Sequence, residues 1–107
     1  MKSDTRSFPR KILRAPAKVT LPGRPPYRAK TIDISLGGIS LIVADQFPIG
    51  QICTVTFEAP VNDNIARVTA TTRVIYSILK GTEGFRTGLQ IIEIDSANNK
   101  RLAELMI

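Results

Sequence analysis

From Gln51 to Leu79 the chain keeps a two-residue hydrophobic period on both sides of one polar turn, and this limits the possible folds more than any other stretch. In Gln51 to Ala59, Cys53, Val55 and Phe57 alternate with Thr54, Thr56 and Glu58. Successive side chains of a strand point to opposite faces, so the first set packs inward and the second faces water. Pro60 to Ile65 is a polar turn with Asn62, Asp63 and Asn64. Ala66 to Leu79 is long and β-prone, rich in Val, Thr, Ile and Tyr. Val68, Ala70, Thr72, Val74 and Tyr76 share a face, and Arg67 and Arg73 point the other way.

The rest of the chain follows the same plan. Ala17 to Leu21 is a short strand with Val19 and Leu21 inward, followed by the Pro22–Pro26 loop. A strand from Tyr27 or Arg28 runs to Ser35, and another covers Ile39 to Val43. Asp45 to Gly50 is a loop, Lys80 to Gly84 a hairpin turn, and Phe85 to Ile94 the last strand, with Phe85, Leu89 and Ile91 on one face. Asp95 or Ser96 caps a short helix whose apolar side holds Leu102, Leu105 and Met106. About six short antiparallel strands and one terminal helix predict an all-β fold, a closed or nearly closed barrel. We divide the single domain into a basic arm, extended or flexible, at 1–16, a barrel at 17–94 and a helix at 95–107.

Composition removes several kinds of chemistry. A chain of 107 residues is one domain by length. It has no histidine and one cysteine, Cys53, read as a small buried hydrophobe. Zinc sites of the usual kind, Ser-His-Asp and Cys-His catalysis and internal disulfides are therefore excluded. No apolar run approaches a membrane span, and no apolar stretch follows the N-terminal basic residues as in a secretory signal. A single cysteine fits a reducing compartment, so a cytoplasmic location is expected. The net charge of +6 is unevenly spread: residues 1–30 carry nine Lys or Arg against Asp4 alone, a net of +8, and the remainder carries −2. An anionic partner met by the N-terminal segment explains that split.

The polar signal lies in Thr31 to Val43. Ile32, Ile34 and Leu36 alternate with Asp33 and Ser35, which places Asp33 and Ser35 side by side on the polar face of a strand. Gly37 and Gly38 follow, able to accept positive φ and to let a ligand approach the backbone. Asp, Ser and Gly are also ordinary turn residues, so this stretch alone leaves a purely structural turn open. The basic arm adds Arg6-Ser-Phe-Pro-Arg10 and, overlapping it, Arg10-Lys-Ile-Leu-Arg14. Arginine offers a planar fork for phosphate or for the O6/N7 edge of guanine. An aspartate suits the N1–H and N2–H₂ donors of guanine's other edge. Ser35 and the backbone N–H groups near Gly37 and Gly38 could reach a phosphate or a further base edge. The combination fits a ligand that is both anionic and guanine-bearing.

The pairing of Arg-x-x-x-Arg with a later Asp-x-Ser-x-x-Gly resembles the PilZ domain family, bacterial receptors for cyclic di-GMP. Arg6-Ser-Phe-Pro-Arg10 looks like the family's first motif and Asp33-Ile-Ser-Leu-Gly-Gly38 like its second. Gly88-Leu-Gln-Ile91 looks like its last strand, with Ile91 where an aromatic is common. The resemblance covers nearly the whole chain. It implies a six-stranded antiparallel β-barrel with the ligand wrapped by the arm across the outer surface. Carried over residue by residue, it names Arg6, Arg10, Asp33, Ser35 and Gly38 as ligand-binding, with Arg14 and Gly37 as additional candidates. Arg14 lies two residues before Pro16, near the first strand, so Arg6 and Arg10 are the preferred pair.

The resulting expectation is a non-catalytic cyclic di-GMP receptor that signals through a protein partner and needs no metal or cofactor. The main alternative is a nucleic-acid-binding small basic barrel. Such modules usually offer several aromatic stacking platforms. This chain has six aromatics and no Trp, with only Phe8, Tyr27 and Phe47 available for a surface role. An enzyme is disfavoured because neither Asp33 nor Asp95 has a partner base, nucleophile or metal set.

Overall fold

Residues 8–107 are described by the computed structural model. Among these residues seven strands are formed: β1 (Lys11–Ile12), β2 (Pro16–Thr20), β3 (Tyr27–Ile34), β4 (Gly38–Val43), β5 (Ile52–Val61), β6 (Asn64–Leu79) and β7 (Phe85–Glu93). One helix follows, α1 (Ser96–Leu105). All pairings are antiparallel, and the strands run β3-β2-β5-β6-β7-β4 before β4 returns to β3. That last pairing closes six strands into a barrel, which leaves none of the six as an open sheet edge.

The two-residue period sets the inside of the barrel. Val19, Ile34, Leu41, Val55, Phe57, Val68, Val74 and Leu89 are fully buried. Cys53 joins them, and burial pushes its thiol pKa up, only partly offset by the Thr72 hydroxyl. Leu102 and Leu105 of α1 are buried in the same core, where the helix packs on β5 and β6. Asp95 caps the helix, its carboxylate accepting the Asn98 N–H at 2.8 Å. Asn98 in turn accepts the Thr69 backbone N–H at 2.9 Å, which fixes the helix to β6.

The turn between β5 and β6 is tighter than the sequence suggests. Pairing persists to Val61 opposite Asn64, leaving two residues, Asn62 (φ 49°) and Asp63 (φ 69°). Two central residues with positive φ match the twist of the flanking strands, and Asn and Asp tolerate that conformation best after glycine. Phe47 is also placed differently. It is buried, with its ring edge against Tyr27 at 5.1 Å between centroids, so it offers no surface platform.

The segment expected as an arm through residue 16 joins the sheet from Lys11 onward. Lys11 and Ile12 pair with Ile34 and Asp33, and the Leu13 N–H donates to the Ile32 carbonyl at 3.0 Å. Where the pairing opens, the buried Thr31 hydroxyl takes over. It donates to the Leu13 carbonyl and accepts the Ala15 N–H at 2.9 Å. β1 and β2 thus form one interrupted edge along β3. The Lys11 ammonium reaches the opposite end of the chain, donating to the carbonyls of Leu105 at 2.9 Å and Ile107 at 3.1 Å. A cation there satisfies carbonyls that a helix end leaves unpaired and complements its dipole.

Candidate functional site

The register of β3 and β4 decides what the site displays. Thr31 pairs with Leu41 and Asp33 with Ser40, so Ile32 is an extra residue, a bulge in β3. The bulge resets the alternation. Thr31 and Ile34 both point into the core, while Ile32 is only partly buried and Asp33 stays on the outer surface. The expected inward set of Ile32, Ile34 and Leu36 is therefore corrected: only Ile34 is buried, and Leu36 is exposed.

Ser35 also moves. β3 ends at Ile34, and Ser35 lies buried in the turn rather than beside Asp33 on a polar strand face. Its hydroxyl oxygen accepts the N–H groups of Gly37 at 3.2 Å and Gly38 at 3.0 Å and donates to the Gly38 carbonyl at 3.2 Å. The two N–H groups expected to reach a phosphate are thus already engaged by Ser35. Neither glycine has a positive φ. Close approach is what requires them. A Cβ on Gly38 would lie 2.7 Å from the Leu89 carbonyl oxygen, and one on Gly37 would lie 2.7 Å from the Phe8 ring. The Phe8 ring therefore packs closely against the turn at Gly37.

Arg10 and Asp33 meet on the outer surface. Arg10 Nη1 donates to Asp33 Oδ1 at 2.7 Å, a charge-assisted contact across 23 residues of sequence. The second carboxylate oxygen, Oδ2, faces Arg86 Nη2 at 3.6 Å, and only 14% of the Asp33 side chain is exposed. Arg86 lies on β7 opposite Ile42, outside both motifs. Beside the ion pair is a shallow cleft lined by Arg10, Ser35, Gly38, Ser40, Tyr76 and Gln90. Tyr76 bonds Ser40 through its hydroxyl at 3.2 Å, and its ring lies so close over Gly88 that a Cβ there would meet it at 2.1 Å.

The structure therefore lines one cleft with Arg10 and the Ser35–Gly38 turn, and places Asp33 against Arg10 beside it. Arg6 lies outside the described residues. Arg14 sits between the partly buried Leu13 and the buried Ala15, faces outward and is not among the residues lining the cleft. Ser40, Tyr76, Arg86 and Gln90 were not named as site residues from sequence. Ser40 and Tyr76 lie in stretches read as core-facing strands, and Arg86 reaches Asp33 only because β7 pairs with β4.

The family model described as "PilZ domain" matches residues 4–107, and the chain belongs to that family. No curated protein sequence matches. Among solved structures, the fold is similar to the Bacillus subtilis inhibitor of motility MotI/DgrA, with TM-score 0.80, 18% identity, 98% of this chain and 50% of that one covered. It is also similar to the PilZ domain of YcgR from Escherichia coli, solved with c-di-GMP, with TM-score 0.67, 13% identity and 95% and 88% of the two chains covered. A third is the K. pneumonia MrkH–c-di-GMP complex, with TM-score 0.73, 15% identity and 97% and 52% covered. The chain thus spans about half the length of MotI/DgrA and of MrkH.

Proposed function

We propose that this protein is a cyclic di-GMP receptor of bacterial second-messenger signalling, and that it passes the signal to another protein rather than catalysing a reaction. The observation that carries the reading is the Arg10–Asp33 contact, which joins the two polar motifs of the sequence at one cleft on the outside of the barrel. Family membership and the c-di-GMP-bound relatives support the choice of ligand.

In this reading Arg6 and Arg10 bind phosphate and guanine, and Asp33 accepts hydrogen bonds from a guanine edge. Ser35 and Gly38 hold the shape of the turn, and Phe8 against Gly37 forms the adjoining wall. Binding exchanges the Arg10–Asp33 pair for contacts of both residues to the dinucleotide. The arm is thereby redistributed toward a ligand-bound arrangement in proportion to the ligand's differential affinity for it. That arrangement is what a cytoplasmic partner protein would recognise.

Calorimetric titration of the purified protein with cyclic di-GMP tests this, with GTP and a short single-stranded RNA as controls. Saturable binding of cyclic di-GMP alone is expected. Arg10→Ala should weaken it by about ten- to a hundredfold, the value of one forked, charge-assisted contact. Binding of the RNA in preference, with a steep salt dependence, would replace this reading with the nucleic-acid one.

A further inference from the structure

Arg86 belongs to neither motif, yet it is the second cation on the carboxylate that the first motif engages. Among the described residues, two cations lie within 4 Å of Asp33, and they divide its oxygens: Arg10 on Oδ1 at 2.7 Å, Arg86 on Oδ2 at 3.6 Å. The backbone explains how Arg86 gets there. Asp33 pairs with Ser40, Ser40 pairs with Gly88, and Arg86 lies two residues before Gly88 on the same outward face. Its guanidinium extends diagonally across β4 toward the bulge that turns Asp33 outward.

This arrangement matters once Arg10 is drawn to a ligand. Asp33 is largely enclosed, and an enclosed carboxylate stripped of its partner is costly. Arg86 is anchored on a barrel strand rather than on the arm, so it stays when Arg10 leaves. Its separation from Oδ2 is about 0.4 Å beyond hydrogen-bond range, a gap that a small side-chain adjustment closes. With Oδ2 held, Oδ1, released by Arg10, is left to accept from a base.

Resting on the receptor reading above, we infer that Arg86 is a positioning residue that holds Asp33 for guanine recognition after Arg10 has transferred to the ligand. Its effect falls on base selectivity. Guanine offers a carboxylate the N1–H together with the N2–H₂. Hypoxanthine keeps N1–H but lacks the amino group, so cyclic di-IMP reports how well Asp33 is aimed while presenting the same phosphates.

The experiment measures affinities of the full chain for cyclic di-GMP and cyclic di-IMP, in the wild type, Arg86→Ala and Arg86→Lys, with circular dichroism confirming each fold. Arg86→Ala should weaken cyclic di-GMP by about tenfold, the value of one hydrogen bond to a charged group. Cyclic di-IMP should lose much less, so the preference between the two narrows. Arg86→Lys keeps a cation in place and should restore most of that preference. An equal loss for both ligands, with the preference unchanged, would make Arg86 a direct phosphate contact and overturn the assignment, as would unchanged affinity in Arg86→Ala. Failure of the wild type to bind cyclic di-GMP would overturn the receptor reading, and this assignment with it.

Discussion

Ser35 and Gly38 are locked to each other by three hydrogen bonds: the Ser35 N–H to the Gly38 carbonyl at 2.9 Å, the Gly38 N–H to the Ser35 hydroxyl at 3.0 Å, and that hydroxyl to the Gly38 carbonyl at 3.2 Å. The turn is therefore closed by its own serine, and Ser35 reads as a structural residue of the site.

Ser35→Ala should destabilise the protein by about 1–3 kcal/mol, because it leaves the Gly37 and Gly38 N–H groups without their acceptor. Denaturant unfolding measures this. A variant as stable as the wild type would mean that the hydroxyl serves the ligand and not the turn.

Asp33→Ala should separate binding from stability. Its ion pair with Arg10 is exposed on the arginine side, so the change should cost no more than about 1 kcal/mol in folding while weakening cyclic di-GMP binding strongly. Ile34→Ala, next in sequence but fully buried, should cost about 2–5 kcal/mol. Thermal melts of the two variants check the order. Greater loss in Asp33→Ala would contradict the placement of these side chains.

The two glycines should respond differently to alanine. In Gly38→Ala the new methyl meets a backbone carbonyl that β4–β7 pairing holds in place, so the melting temperature should fall clearly. In Gly37→Ala it meets the half-exposed Phe8 ring, which can move aside. The second variant should keep its melting temperature and lose ligand affinity. Melts and calorimetry on both variants compare the two effects.

Asp95 gives a pH signature. Hydrogen bonds from the Asn98 backbone and side chain, together with the nearby Arg101 charge, hold its carboxyl below the usual range. A depressed folded pKa contributes stability above the unfolded pKa, and that contribution is lost as pH falls through the folded value. Asp95→Ala should therefore melt below the wild type at neutral pH, and the difference should vanish at pH values below the carboxylate range. A pH series of melts on both proteins measures it.

Strand periodicity was legible because Cys53, Val55 and Phe57 need only local alternation to be placed. The bulge at Ile32 was not. Thr31 to Leu36 alternates perfectly on paper, and the interruption appears only in the register of β3 against β4, beside a Thr31 hydroxyl bonded to Leu13 and Ala15, sixteen or more residues away. Arg10 and Asp33 were named from two separate motifs, and the structure places them in contact although no strand period could bring them together. Arg86 was invisible for a related reason: its approach to Asp33 exists only after β4 has acquired β7 on one side and β3 on the other.

The Lys11 ammonium binds carbonyls at positions 105 and 107, a separation of 94 residues to the nearer. A nascent chain on the ribosome cannot complete this anchor until everything through residue 107 has emerged. β1 must wait for the far end of the domain before it is fully held, even though β3, its sheet partner, is synthesised early. Arg10 is the neighbouring residue, and its own partner, Asp33, lies on β3 rather than at the C-terminus. The two ends of the described chain thus meet one residue away from the arginine that pairs with Asp33.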